Sequence, residues 1–215
     1  MQGWLKNSRN GFYKTILFLA YWFFKLLYRH KIYGLKNVPP GAAILAANHV
    51  SFYDPPILST STPYEVHFLA RKTLFDSIVL GPLIRRLNAH PVSGKAQDVA
   101  VFKTIVRLMK EGKKVIIFPE GKRSLNGTLQ PIKPGISLLI SRTGAAVVPA
   151  YLHGTFEVWP SGKKFPKLFG KTACVFGKPM HFAPKATQEE IAFQLEKEIL
   201  ALKNWIEKGA KGAPP

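Results

Sequence analysis

Ala42-Ala43-Ile44-Leu45-Ala46-Ala47-Asn48-His49-Val50-Ser51-Phe52-Tyr53-Asp54-Pro55-Pro56 is the stretch that decides how this chain is read. Its first six residues are an unbroken apolar run, the pattern of a short buried strand. His49 then falls just past the strand end, on a loop, where folds place reactive groups. Asp54 follows five residues later. On one continuous helix, residues five apart lie about 140° apart and do not face each other. The two side chains can meet only if the chain turns between them. Pro55 favours this: it biases Asp54 towards an extended conformation and can open a following helix. A carboxylate bonded to one imidazole nitrogen fixes the tautomer and leaves the other nitrogen free as a base. Taken alone, a His and an Asp five residues apart are more often unrelated, or joined by an ordinary turn hydrogen bond.

A second stretch repeats the architecture. Lys114-Val115-Ile116-Ile117-Phe118-Pro119-Glu120-Gly121-Lys122-Arg123-Ser124 is an apolar, β-branched run closed by Pro and Gly. The expected strand ends at Phe118, so Glu120, Arg123 and Ser124 fall on the following loop. Arg123 offers a planar fork of donors suited to a phosphate. Gly121 lets the backbone come close to a ligand, and Ser124 adds a hydroxyl donor. Glu120 is expected either to orient Arg123 or to accept from a substrate hydroxyl. By itself a loop salt bridge would explain these charges.

Together the two stretches resemble the glycerolipid acyltransferase family, whose best-known members acylate lysophosphatidate. The family's first motif, Asn-His, four residues, then Asp, is met by Asn48, His49 and Asp54. Its third, Phe-Pro-Glu-Gly-x-Arg-Ser, is met at every fixed position from Phe118 to Ser124. A fourth, an apolar run ending in Val-Pro-Ala, is met by Val148, Pro149 and Ala150 after Val147. The resemblance runs from about Ile32 to Phe182. The second motif departs from the family. Lys72 fits its start and Gly81-Pro82-Leu83 its middle, but Ser93-Gly94-Lys95 stands where the family commonly has an Arg. Lys95 is then either the cation that helps hold the acceptor phosphate or a solvated loop charge, and Arg85 or Arg86 are alternatives.

Composition bounds the remaining classes. A chain of 215 residues fits one domain with a real core. The single Cys174 excludes an intramolecular disulfide and reads as a small core residue. No Cys/His cluster has metal-ligand spacing, so no metal is expected. His30, His67, His90, His153 and His181 are taken as structural or surface residues. The net charge of +19 is a strong field that concerns partners rather than fold. No helix-turn-helix, zinc finger or aromatic RNA-binding strand favours nucleic acid, which leaves an anionic membrane surface or an acidic partner.

Basic and aromatic residues gather first at the N-terminus. Residues 1–53 contain no Asp or Glu, and within them Phe12 to Arg29 is an aromatic, apolar run. Its uncharged core, Thr15 to Phe24, is ten residues, whereas a spanning helix needs about 20. The expectation is an amphipathic helix lying in one leaflet. Trp4, Tyr13, Tyr21, Trp22 and Tyr28 would sit at headgroup depth, with Lys6, Arg9, Lys14, Lys25, Arg29, Lys31 and Lys36 on anionic lipid. A buried core helix is the alternative.

Further along, Val66 to Ala70 reads as a strand, and Leu74 to Leu87 as a core helix or an acyl-binding wall. Ala96 to Glu111 is an amphipathic helix with Phe102, Ile105, Val106 and Met109 in register, ended by Gly112. Gly135 to Arg142 is a short helix, and Ala146 to Tyr151 and Thr172 to Phe176 are strands. Lys163, Lys164, Lys167 and Lys171 form a basic loop for the acyl donor, the membrane or simply solvent. Thr187 to Glu190 is a capping box opening a last helix with Ile191, Leu195, Ile199, Leu202 and Ile206 on one face.

Strands alternating with helices predict an α/β fold. It is expected as a single domain with a mixed, largely parallel central sheet flanked by helices, plus the N-terminal amphipathic helix. The organisation expected is 1–36 for the membrane-associating segment, 37–208 for the acyltransferase domain and 209–215 for a frayed tail. The resemblance implies transfer of a fatty acyl group from an acyl thioester to the sn-2 hydroxyl of 1-acyl-glycerol-3-phosphate, giving phosphatidate. His49 would be the general base and Asp54 would orient it. Lys72, Lys95, Glu120, Gly121, Arg123 and Ser124 would bind the acceptor, with Val148, Pro149 and Ala150 at the donor side or structural. No cofactor is implied, since acyl-coenzyme A or acyl-acyl carrier protein is a substrate. The place implied is the cytoplasmic face of the inner membrane. Another lysophospholipid or glycerol 3-phosphate as acceptor is the nearest alternative. A hydrolase using Ser51, or a membrane binder without activity, are alternatives of other classes.

Overall fold

The computed structural model describes residues 10–92, 99–183 and 185–215. In chain order it has α1 (Gly11–Leu27), β1 (Lys31–Tyr33), β2 (Ala43–Ala47), α2 (Asp54–Thr60), β3 (Val66–Arg71), α3 (Leu80–Arg86) and β4 (Ala89–Val92). There follow α4 (Val99–Lys110), β5 (Lys114–Ile117), α5 (Pro134–Thr143), β6 (Ala146–His153), α6 (Thr155–Val158), β7 (Ala173–Phe176) and α7 (Gln188–Glu207). The seven strands form one sheet in the order β1-β7-β6-β2-β5-β3-β4, parallel throughout except where β7 meets β6.

Alternation along the central strands splits the core into two layers. On β2, Ile44 and Ala46 point into one cluster with Ile105, Leu108, Leu139, Leu195 and Leu202, the faces of α4, α5 and α7. Ala43, Leu45 and Ala47 point into the other, with Phe24, Tyr28, Ile57 and Leu58 from the α1 and α2 side. All five β2 residues are fully buried, as a strand covered on both faces requires.

Pro149 sits inside a central strand, a position proline normally avoids. It is tolerated because the antiparallel partner breaks there. Gly177 donates to Pro149 O at 2.8 Å, and a Cβ on Gly177 would lie 2.9 Å from the Pro149 ring. Val148 and Ala150 are likewise fully buried, so this motif builds the floor of the sheet.

α1 buries Tyr13, Leu17 and Phe24 and leaves Phe12, Phe18, Leu19, Phe23 and Leu26 exposed. It is thus partly core and partly uncovered, and Tyr13 and Tyr28, expected at headgroup depth, are buried instead. No described helix is long and apolar enough to cross a membrane. His30 fixes the exit from α1: its Nδ1 bonds Thr172 Oγ1 and its Nε2 bonds Ser61 Oγ, both at 2.9 Å. Burial, with Lys25 nearby, pushes its pKa down to about 4, as suits a neutral structural ring.

Two further expectations change. Asp54 is the first residue of α2 rather than an extended residue before it, because its carboxylate closes the preceding turn onto the helix. Leu74 to Leu87 is not one core helix. A 3-10 turn over Lys72–Asp76 precedes α3, and between them Ile78 and Val79 are 92% and 80% exposed. After α7 the chain turns back, and Trp205 Nε1 donates to Lys211 O at 3.0 Å. The capping box at Thr187 and Glu190 is present with both bonds.

Candidate active site

The site forms where the loops after β2 and β5 meet, outside the carboxyl ends of adjacent parallel strands. Asn48 sets the first loop. Its side chain continues the β2–β6 ladder, donating to Leu152 O at 3.2 Å and accepting from Leu152 N at 2.7 Å. A side-chain amide supplies the one donor and the one acceptor that this requires.

The next residue is His49, and here the pair predicted from the spacing is made. Asp54 Oδ2 lies 2.8 Å from His49 Nδ1. The same oxygen accepts the backbone N–H of Val50 at 2.6 Å and of Ser51 at 2.7 Å. The carboxylate is fully buried, whereas the His49 side chain is 17% exposed. The imidazole stacks on Phe118 with centroids 4.0 Å apart. Its Nε2 makes no hydrogen bond to a described residue. The ring is therefore fixed in tautomer and in plane, with one nitrogen presented outward.

Glu120 holds His49 from behind. Its Oε1 accepts the His49 N–H at 2.5 Å, and its Oε2 accepts the Gln130 N–H at 2.8 Å. Both carboxylate oxygens are thus directed at backbone, and no ion pair links Glu120 to Arg123 among the described residues. Burial pushes the Glu120 carboxyl up to about 7 against the pull of those two N–H groups. Ser124 is also inward: its N–H donates to His49 O at 2.8 Å and its hydroxyl to Asn126 Oδ1 at 2.8 Å. Its hydroxyl proton is committed within the loop. Gly121 takes φ +71°, so its place in the motif is a turn that other residues enter only with strain.

Arg123 stands apart from this scaffold. Its guanidinium lies 3.6 Å from the centre of the Phe52 ring. Partial burial and the neighbouring Arg71 lower its pKa, and Asp54 opposes them. Arg71, at the end of β3, is a second cation near Arg123 that the sequence does not single out. Only the β3–β5 pairing brings it to the same edge of the sheet, and no local pattern announces that. Lys72 follows it on the exposed 3-10 turn, and no described contact ties it to the His49 loop. Lys95 lies outside the described residues.

Ser51 cannot serve as a nucleophile. It is fully buried and its hydroxyl donates to Trp159 O at 2.7 Å. Groups of three or more metal-ligating side chains are absent among the described residues.

Residues 29–153 match the acyltransferase family. The chain is 31% identical over 171 residues to the 1-acyl-sn-glycerol-3-phosphate acyltransferase of Bacillus subtilis (strain 168), covering 77% of this chain and 82% of that protein. It is 31% identical over 159 residues to a chloroplastic enzyme of the same name from Arabidopsis thaliana, covering 72% of this chain but 44% of the plant protein. The crystal structure of the 1-acyl-sn-glycerophosphate acyltransferase of Thermotoga maritima superposes with a TM-score of 0.76 at 25% identity, over 97% of this chain and 86% of that one.

Proposed function

Because this chain belongs to the acyltransferase family, we propose that it moves a fatty acyl group from an acyl thioester to the sn-2 hydroxyl of 1-acyl-glycerol-3-phosphate, giving phosphatidate. The observation that carries the reading is the His49–Asp54 pair, with Nδ1 bonded to a buried carboxylate and Nε2 turned outward. In this reading Nε2 takes the proton from the acceptor hydroxyl as the oxygen attacks the thioester carbonyl. Asp54 stabilises the imidazolium that forms. The tetrahedral intermediate then collapses, the thiolate leaves, and the proton on Nε2 is available to it. No serine or cysteine intermediate is required, since the thioester is already activated.

Arg123 is the residue for the acceptor phosphate, with Arg71 as its neighbour in place of Lys72. The Phe52 face holds the guanidinium plane in one orientation, which suits bidentate recognition. Glu120, Gly121 and Ser124 act as positioning residues for His49 and the loop rather than as groups on the substrate. Val148, Pro149 and Ala150 support the sheet beneath. The uncovered face of α1 would rest on an anionic membrane at its cytoplasmic side, which brings lipid acceptor and product to the loops. Coenzyme A and acyl carrier protein both suit the basic surface as donor carriers.

The test offers lysophosphatidate, glycerol 3-phosphate and lysophosphatidylcholine in parallel to the purified protein with a long-chain acyl thioester. Phosphatidate as the dominant product is expected. Preferential acylation of either other acceptor would overturn the acceptor assignment.

A further inference from the structure

The loop between α6 and β7 carries features that the acyl-transfer site does not use. Phe165, Leu168 and Phe169 are 73%, 66% and 66% exposed, three large apolar side chains within five residues. Lys163, Lys164, Lys167 and Lys171 are interleaved with them, and no Asp or Glu occurs from Val158 to Gln188. A solvated loop has no use for three bare apolar side chains, and a buried one would not carry four lysines. Apolar tips among cations are what a lipid–water boundary accommodates: the tips enter the acyl region and the ammonium groups meet phosphates.

Position strengthens the argument. The loop is tied to the end of α1. Gly170 donates to Leu27 O at 3.3 Å, Thr172 donates to Tyr28 O at 3.0 Å, and the Tyr28 hydroxyl donates to Lys167 O at 2.8 Å. α1 itself exposes Phe12, Leu19, Phe23 and Leu26, which recur on one stripe of the helix. The loop is tied equally to the site. Trp159 Nε1 donates to Lys163 O at 3.0 Å, and Trp159 O accepts from Ser51, between His49 and Asp54. Trp159 also packs against Phe52, the ring beneath Arg123.

We propose that the 163–171 loop is a second membrane-insertion point, specific for anionic phospholipid, which together with α1 fixes the orientation of the His49 loop to the bilayer. One helix alone leaves the protein free to roll about its axis. A second contact beside its end removes that freedom and holds the site towards lipid. The proposal rests on the lipid-acceptor reading above for its activity arm, while its binding arm is independent of it.

The experiment compares the whole protein with its Phe165→Ser/Leu168→Ser/Phe169→Ser variant, after matched melting curves show both folded. Binding is measured to phosphatidylcholine vesicles with and without phosphatidylglycerol. Acyl transfer from acyl-coenzyme A is measured to long-chain lysophosphatidate in vesicles and to a short-chain, monomeric lysophosphatidate in solution. Affinity for the anionic vesicles is expected to fall about tenfold or more. Transfer to the vesicle-held acceptor should fall with it, while transfer to the soluble acceptor stays unchanged. Unchanged vesicle affinity would overturn the proposal. So would an equal loss on the soluble acceptor, since that would assign the loop to the donor or the site.

A second measurement guards against indirect effects. Phe165→Cys carries an environment-sensitive dye, with the native Cys174 fully buried and unreactive. A blue shift on anionic vesicles is expected, and a dye that stays in water when the protein is bound would overturn the proposal. Absence of transfer to both acceptors by the wild type would sink the proposed reaction, and the vesicle and dye measurements would still decide the loop.

Discussion

The loops after β2 and β5 and the wing of β3, α3 and β4 share one sheet edge but are built to different standards. In the loops most polar groups of the motif have a partner, the buried Asp54 Oδ1 being an exception. Asp54 Oδ2 takes three donors, Glu120 two and the Asn48 side chain two partners, and Ser124 N–H closes on His49 O. The wing has a small cluster, Ala70, Phe75, Ile84 and Ala89, and it leaves Leu74, Ile78, Val79 and Leu80 uncovered. A base must be placed to a fraction of an ångström, so its loop is over-determined. The wing is held by that small cluster and carries no comparable network of hydrogen bonds among the described residues.

The contrast can be broken most severely at His49. His49→Ala should lower acyl transfer about 10²- to 10⁴-fold while the melting temperature stays near that of the wild type. A similar loss from a wing substitution would erase the distinction. Next in size, Arg123→Lys should raise KM for a phosphate-bearing acceptor about tenfold, because an ammonium neither forks nor stacks on Phe52. Arg71→Ala should move KM in the same direction by less, and steady-state kinetics on the two variants decides it.

Glu120 separates the two regions by stability. Glu120→Gln places an amide N–H₂ against one of two backbone donors and should cost about 1–3 kcal/mol in denaturant unfolding. The same residue sets a pH dependence. The folded protein keeps its proton up to about pH 7, whereas the unfolded chain releases it near the ordinary value of 4.5. Its contribution to stability is therefore fully present below about pH 4.5 and is lost as pH rises through about 7. The difference in stability between wild type and Glu120→Gln should change across that window, and a constant difference would count against the buried carboxyl. The smallest effect belongs to the wing. Ile78→Ser, at a side chain 92% exposed, should alter stability by under about 0.5 kcal/mol, checked by thermal unfolding.

The same contrast explains what the sequence made legible. His49, Asp54 and the Phe118–Ser124 turn are local patterns, in which proline, glycine and residue spacing dictate where the chain bends. The strand–helix alternation and the capping box at Thr187 are local in the same sense. Arg71 could not be read, because its nearness to Arg123 depends on which strands pair. The inward turn of Glu120 and Ser124 was hidden for the same reason: their partners, His49 and Asn126, are chosen by a backbone path that residue types alone do not specify. In the wing, the apolar content of Leu74 to Leu87 fits a core helix or an acyl-binding wall, and only the first is excluded by the break between the 3-10 turn and α3. Hydrophobic content alone does not separate the two, since apolar residues also line surfaces left open.

In the proposed reaction His49 activates the acceptor hydroxyl for direct attack on the thioester. The most direct measurement follows thiol release from acyl-coenzyme A by the purified protein, with and without lysophosphatidate. Thiol should appear only with the acceptor, in step with phosphatidate, and disappear in His49→Ala. Thiol release without the acceptor, or a covalent acyl-protein formed before the acceptor is added, would contradict the account.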